Sequence, residues 1–237
     1  MTQAPTGIRL EVVGSVLDEV HALGSRGAPD GTWVVAVEQR EGRGSRGRTW
    51  HSPPGGLWLG VLRRSERPDG LDLLSLRAGL AAAAELERLV PGITIRLKWP
   101  NDLMLADRKV GGILCEARWK GAMLSWVAIG FGLNVRNPIP TSVAEGAVAL
   151  ATCGVEATAD ALAGPLASVL AAVDLSSPRL SPAEIAEFTP RDWLLGRSVE
   201  VPLAGVGSGI RSDGALGVLN LQGALEYVRF AAPPVGP

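Results

Sequence analysis

Cysteine and histidine are both scarce: two of each, Cys115, Cys153, His21 and His51, in 237 residues. Two cysteines are too few for a disulfide framework. Neither their spacing nor the histidines supply a metal-ligand cluster, so the sequence offers no metal site. A reducing cytoplasm fits that usage. There is no run of about 18 uninterrupted apolar residues, which argues against a membrane-spanning helix. The N-terminus MTQAPTGIRLEVV lacks a basic n-region followed by an apolar h-region, so no signal peptide is expected. Charge of one sign is missing too: Lys+Arg 23 against Asp+Glu 24 leaves a net charge of -1. A global positive field for nucleic acid is therefore excluded, while a local basic patch stays open. Internal repeats and low-complexity tracts are absent. What is present is a 46% hydrophobic chain of mean hydropathy +0.20. That suffices for a real core, in one large domain or a medium domain plus a small one.

Periodicity divides the chain. Arg9–Val13, Thr32–Val37 and Gly56–Leu62 read as strands, and 15–23 as a short helix with Asp18 and Glu19 facing out. Asp72–Leu89, rich in alanine and leucine, reads as a helix stopped by Pro91-Gly92. Strands follow at 94–98, 102–105, 110–118 and 124–130. Helices follow at 160–173 and 181–188, the second opened by Ser181-Pro182 with Glu184 completing a capping box. Beyond 189–196 come short alternating runs broken by Asp213-Gly214 and Gln222-Gly223, as in a small β-barrel that leans on the larger unit. The tail 231–237 is expected to fray. Consecutive strands mixed with helices give an α+β class, a mixed or antiparallel sheet flanked by helices. The expected division is a main domain over 1–190 and a small β domain over 191–237.

Residues 42–47 spell G-R-G-S-R-G, literally the G-x-G-x-x-G dinucleotide fingerprint. That fingerprint needs a helix opening directly behind it. Ser52-Pro53-Pro54-Gly55-Gly56 forbids one. A kinase-type glycine loop fails as well, because no H-R-D or D-F-G follows. The segment 41–56 is instead a long irregular loop. Arg43, Arg46 and Arg48 bring forked donors that suit carboxylate and phosphate. Gly42, Gly44 and Gly47 let backbone N–H groups approach a ligand. Mutual repulsion of the arginines should leave the empty loop disordered. Arginines alone would read as a solvated charge run; the flanking motifs reverse that reading.

Those motifs are Lys-Trp-Pro-Asn-Asp at 98–102, Lys-Val-Gly-Gly-Ile-Leu-Cys-Glu at 109–116 and Gly-Phe-Gly-Leu-Asn-Val at 130–135. Pro100 forces a turn after Lys98, leaving Asn101 and Asp102 at a strand mouth. Gly111 and Gly112 strip the next strand so that a flat ligand meets backbone. Two lysines, an Asp and an arginine loop suggest a polyanion with chemistry beside it. No Ser-His-Asp or Cys-His set competes, and Cys115 reads as core.

Together with Gly-Arg-Gly-Ser-Arg-Gly-Arg-Thr-Trp at 42–50, in this order and spacing, these motifs resemble the biotin protein ligase family. The resemblance covers roughly residues 9–230. It implies a class II synthetase-like fold with a small SH3-like C-terminal barrel. It implies that biotin and Mg-ATP form biotinyl-5'-AMP, and that biotin passes to a lysine of the biotin carboxyl carrier protein of acetyl-CoA or a related carboxylase. No protein-held metal is implied, since Mg arrives with ATP. Monomer and homodimer both stay open. By resemblance Arg43 and its loop (Gly42, Gly44, Ser45, Arg46, Gly47, Arg48) close over the adenylate, with Gln39 and the backbone near Gly44 beside biotin. Lys109 contacts the biotin carboxyl and the phosphate. Lys98 and Asp102 form a charged pair at the reacting centre, where Asp102 orients or deprotonates the acceptor lysine. Asn101, Gly111 and Gly112 belong to the binding wall; Gly132 and Asn134 line the adenosine side. Trp50 packs either on the ligand or in the core.

Three departures stand out. The family's Ser-Thr-Asn becomes Ser15-Val16-Leu17, which removes two polar partners for the ureido ring. Unpaired ligand groups cost roughly 1–3 kcal/mol each. Ser45 stands where many members carry Arg, so leakage of activated biotin is an expectation. The stretch 226–230 lacks the acidic-glycine finish of the barrel. Val16 and Leu17 motivate two alternatives, a lipoate or octanoate ligase of the same superfamily and a non-catalytic biotin-binding relative. A plain nucleotide-binding module is disfavoured by the missing helix after Gly47. Some members add about 60 residues of N-terminal helix-turn-helix. This chain begins close to the catalytic motifs, so DNA binding is not expected.

Overall fold

The computed structural model describes residues 7–201 and 203–229. The tail expected to fray lies outside the described residues. So do residues 1–6, Pro202 and Phe230, the last two of which fell within runs read as β.

The first unit is a parallel pair joined by a helix. β1 (Gly7–Val13) runs into α1 (Val16–Ser25), and β2 (Trp33–Gln39) returns beside β1 with Gly7 opposite Trp33. Ser15 starts α1: its backbone is extended and its Oγ accepts from the Leu17 N–H, which satisfies one orphan donor of the first turn. β3 (Leu57–Arg63), β4 (Arg96–Lys98), β5 (Asp102–Leu105), β6 (Arg108–Lys120) and β7 (Met123–Leu133) complete a seven-stranded sheet in the order β1-β2-β3-β7-β6-β5-β4. Every pairing after the first is antiparallel, so the mixed α+β class holds.

β3 is buried along its whole length, and its alternation assigns one helix layer to each face. Leu57, Leu59 and Val61 point into the main core. There they meet α2 (Leu74–Leu89) and α3 (Ala159–Ala171) through residues such as Leu86 and Leu166. Leu62 faces the other way and packs with Leu17 and Val20 of α1, while Trp58 packs with Val16. Each such side chain contributes about 1.5–3 kcal/mol on burial. α4 (Pro182–Phe188) begins with the capping box read from the sequence: Glu184 N–H donates to Ser181 Oγ, and Ser181 N–H to Glu184 Oε2.

β8 (Ser198–Val199), β9 (Gly205–Ile210), β10 (Leu216–Asn220) and β11 (Leu225–Val228) form a second, four-stranded antiparallel sheet. Val199, Leu216 and Val218 share the main core, and Trp99 Nε1 donates to the Gly214 carbonyl at 3.0 Å. The small unit leans on the large one as expected. Most bounds shift from the sequence reading by one or two residues, and β6 is longer at both ends, Arg108–Lys120 against 110–118. β7 continues past Gly130 to Leu133, because backbone pairing with β3 and β6 on both sides carries it through the glycines.

α1 lies close against the sheet at Gly60. A Cβ there would come within 2.7 Å of Val20 Cγ2 and 3.0 Å of the Val16 carbonyl. Gly60→Ala should therefore lift α1 and cost about 1–3 kcal/mol in urea unfolding. An unchanged midpoint would show that the helix yields freely.

Candidate functional site

Glycine clears the middle of the sheet. Gly112 pairs with Gly132 across β6 and β7, and Leu114 with Gly130. Three side chains settle over the cleared backbone, Trp50 and Leu17 from other segments and Lys109 from β6 itself. A Cβ on Gly132 would lie 2.7 Å from the Trp50 indole, one on Gly130 would lie 3.0 Å from Leu17, and one on Gly112 would lie 3.3 Å from Lys109 Cε. Between them opens a cavity of about 250 Å³. Its apolar wall includes Val16, Leu17, Ile113 and Phe131; its polar rim includes Ser15, Gln39, Asn101 and Asn134; its basic groups are Arg43, Arg48 and Lys109.

The arginine-glycine loop is a narrow excursion from β2. Isolated bridges join Gln39 to Ser52 and Arg43 to Thr49. Trp50 N–H donates to the Gly42 carbonyl at 2.8 Å, and Gly44 N–H to the Arg48 carbonyl at 2.7 Å. Gly42 has no room for a side chain, since a Cβ would stand 2.4 Å from the Trp50 carbonyl. Arg46 and Gly47 sit at the exposed tip, both at positive φ, 60° and 71°.

The repulsion expected among the arginines is answered by local partners. Arg43 Nε donates to Glu116 Oε1 at 2.7 Å. Its Nη2 donates to Glu116 Oε2 at 3.0 Å and to Asp18 Oδ1 at 2.8 Å. Arg48 folds onto Ser45, its Nε to the carbonyl at 3.2 Å and its Nη2 to Oγ at 3.0 Å. In both arginines Nη1 has no protein partner among the described residues. Burial pushes the Glu116 carboxyl up, but hydrogen bonds from His21 and Arg43 outweigh it and pull the group down to about 2. The Glu116 hydrogen bond in turn raises Arg43 above its ordinary value.

Lys109 Nζ stands 2.5 Å from Asp102 Oδ1 and 5.0 Å from the Trp50 ring centroid. The Trp50 indole N–H is buried with no protein partner among the described residues. Asp102 thus has Lys109, not Lys98, as its cation. Lys98 and Asp102 are register partners across β4 and β5, yet Lys98 Nζ rests 4.9 Å over Trp193. The Trp99-Pro100 bond between the two strands is cis. Asn101 is pinned by two bonds to Ile113, 2.6 Å from its side chain and 2.9 Å to its carbonyl. Gln39 Oε1 accepts from Val16 N–H at 2.8 Å while its Nε2 donates to Ser52 Oγ at 2.8 Å. Asn134 Oδ1 accepts from Asn137 Nδ2 at 3.1 Å.

The matching family model is described as the Biotin/lipoate A/B protein ligase family and covers residues 13–134. This chain belongs to that family. The bifunctional ligase/repressor BirA of Escherichia coli is 33% identical over 221 residues, 89% of this chain and 67% of that protein. The biotin–acetyl-CoA-carboxylase ligase of Mycobacterium tuberculosis is 32% identical over 207 residues, covering 83% of this chain and 76% of the relative. The chain spans only 39% and 44% of the length of two Bacillus BirA relatives it also matches. Among solved structures, a biotin protein ligase from Aquifex aeolicus in complex with biotin and ATP has a TM-score of 0.80 at 24% identity over 96% of this chain and 97% of that one. One from Leishmania major in complex with biotinyl-5-AMP has a TM-score of 0.66 at 26% identity over 96% and 100%.

Most ligase-family positions named from the sequence converge on the cavity. Gly44, Ser45, Trp50, Gly112 and Gly132 line it beside the polar and basic groups above. Gly42, Arg46, Gly47, Lys98, Asp102 and Gly111 do not line it; Asp102 reaches it through Lys109. The sequence reading gave no role to Glu116, His21 or Asn137, and Asp18, read as facing out, is indeed exposed but also holds Arg43. A signal was available for two of them. Asp18 and His21 are three apart on α1, so they share the face that meets Arg43 and Glu116.

The low Glu116 carboxyl gives a signed expectation. Its stabilising contribution is full above the ordinary value of 4.5 and is lost as pH falls toward about 2. Glu116→Gln should cost up to about 3 kcal/mol at pH 7 and progressively less relative to wild type as pH falls through about 2. An equal gap at both pH values in urea titrations would refute the pairing.

Proposed function

We propose that this chain activates biotin with ATP to biotinyl-5'-AMP and transfers it to a lysine of a biotin carboxyl carrier domain, as in acetyl-CoA carboxylase or a related enzyme. The observation that carries the reading is one cavity that joins an apolar wall to Arg43, Arg48 and Lys109. A carboxylate attacking an α-phosphate brings two anions together. The first requirement is charge neutralisation and positioning, which preorganised cations supply.

In this reading the biotin carboxylate oxygen attacks the α-phosphorus, the bond to pyrophosphate breaks, and a mixed anhydride forms. Lys109 bridges carboxylate and phosphate, and the free Nη1 edges of Arg43 and Arg48 meet the phosphate oxygens. Mg²⁺ enters as part of the nucleotide substrate. A neutral lysine amine of the carrier then attacks the acyl carbon, AMP leaves, and Asp102 accepts the proton the amine sheds. Asn134 and Gly132 border the adenosine side. Ser45 supports this arrangement by anchoring Arg48. The ligase portion is assigned to 1–190 and the SH3-like portion to 191–237. Among the described residues no helix is long and apolar enough to cross a membrane.

Leu17 over Gly130 favours a second reading, a lipoate or octanoate ligase, because an aliphatic wall needs no ureido partner. ATP–pyrophosphate exchange separates the two. Exchange should depend on biotin and fall at least about a hundredfold in Lys109→Ala with little change in the unfolding midpoint. Exchange that responds to lipoate or octanoate instead would move the assignment to that class. Equal losses of exchange and stability would make Lys109 structural.

A further inference from the structure

The Arg43 clamp continues beyond Glu116, through residues that do not touch the cavity. Glu116 Oε2 lies 2.9 Å from His21 Nε2, and Trp126 Nε1 lies 3.0 Å from His21 Nδ1. An indole N–H only donates, so Nδ1 must accept and Nε2 carries the hydrogen that Glu116 receives. The tautomer is set by Trp126. Trp126 is itself held: a Cβ on Gly24 would lie 2.7 Å from its ring, and the Arg64 guanidinium sits 5.7 Å from its centroid. Arg64 is fixed by carbonyls of Gly24, Ala28 and Ser125 at 2.8–3.1 Å. The chain of contacts therefore runs from backbone to Trp126, to His21, to Glu116, to Arg43.

Resting on the adenylation reading above, we propose that His21 and Glu116 are positioning residues for the reaction. Through the Trp126–His21–Glu116 chain they fix Nε and Nη2 of Arg43 and leave Nη1 as the edge offered to the phosphate. The geometry makes this specific. Glu116 engages Arg43 with both oxygens, at 2.7 and 3.0 Å, and a forked guanidinium bound on two nitrogens has one orientation. The side chains of His21 and Glu116 are only 11% and 16% exposed, so water cannot easily replace the missing partner. Asp18 holds the Nη2 side from the same helix face, and Arg118 lies 3.9 Å from Glu116 as a more distant counter-charge. A mispositioned Arg43 would bind the nucleotide and release the adenylate with altered rates, because an error of about 1 Å in a positioned group costs up to about a hundredfold.

The test is a double-mutant cycle on the full chain, read by biotin-dependent ATP–pyrophosphate exchange. His21→Phe keeps the ring volume and removes both nitrogens. It should lower kcat/KM about tenfold in the wild-type background and less than about twofold in Arg43→Ala, since there is then nothing left to position. The same tenfold loss in both backgrounds would overturn the proposal and leave His21 structural. Trp126→Phe deletes only the N–H that selects the tautomer. It should give a smaller loss of the same pattern, and it serves if His21→Phe folds poorly. A second readout needs no activity. The Arg43 Nε–H resonance, assigned by its disappearance in Arg43→Lys, should be protected from solvent exchange in wild type and lose that protection in His21→Phe and Glu116→Gln. An Nε–H that exchanges like an exposed arginine in wild type would overturn the positioning. If wild-type exchange ignores biotin, the adenylation reading fails, and the resonance alone still decides the clamp.

Discussion

The site exists because three glycines occupy one face at the centre of two paired strands. Gly112 on β6 faces Gly132 on β7, and Gly130, two residues on along β7, faces Leu114. Side chains there would fill the sheet face. Without them the backbone is bare, and Trp50, Leu17 and Lys109 each come within van der Waals reach of where a Cβ would be. Glycine costs roughly 0.5–1 kcal/mol in a strand relative to alanine. The sheet tolerates that cost because β6 and β7 are interior strands, paired on both sides. The cavity is thus a deficit of side chains in the interior of the sheet.

α1 is the element that turns this bare face into a binding wall. Its N-terminal residues Val16 and Leu17 line the cavity, while Asp18 and His21 on its next turn hold Arg43 and Glu116. Gly60 and Gly130 let the helix sit low enough for both tasks. The packing of one short helix therefore sets the apolar surface and the cation geometry together. This explains why a change of shape at Gly60 and a change of charge at Glu116 bear on the same site.

Local features were the legible ones. β5 at 102–105 was read with its observed bounds, because tight turns bracket it. The Ser181–Glu184 box was read because it is complete within four residues. The motifs that built the cavity wall were readable for the same reason: each is short, and glycine, proline and lysine have distinctive uses. What the sequence could not display was pairing across long separations. Arg43 and Glu116 are 73 residues apart, and His21 and Trp126 are 105 apart. Lys98 shows the same limit. The family resemblance paired it with Asp102, but the tertiary fold brings Trp193 to it and Lys109 to Asp102. Side chains at strand ends follow the nearest complementary group, which only the assembled fold supplies.

A chain of net charge -1 must assemble an anion site without a global field, and the arrangement of partners shows how. Each cavity cation is matched within the protein: Arg43 by Glu116 and Asp18, Lys109 by Asp102, Arg48 by the oxygens of Ser45. Matching lowers the cost of gathering positive charge in a partly dry space, where like charges otherwise repel strongly. It also limits direction, since two of three nitrogens on each guanidinium are already occupied. An arriving phosphate then finds edges already aimed, at no further cost in side-chain ordering. A stronger net positive charge would raise the encounter rate with any polyanion. Matched pairs give up that attraction and keep the geometry, which suits a site that must align two anions for a reaction more than it must capture either one.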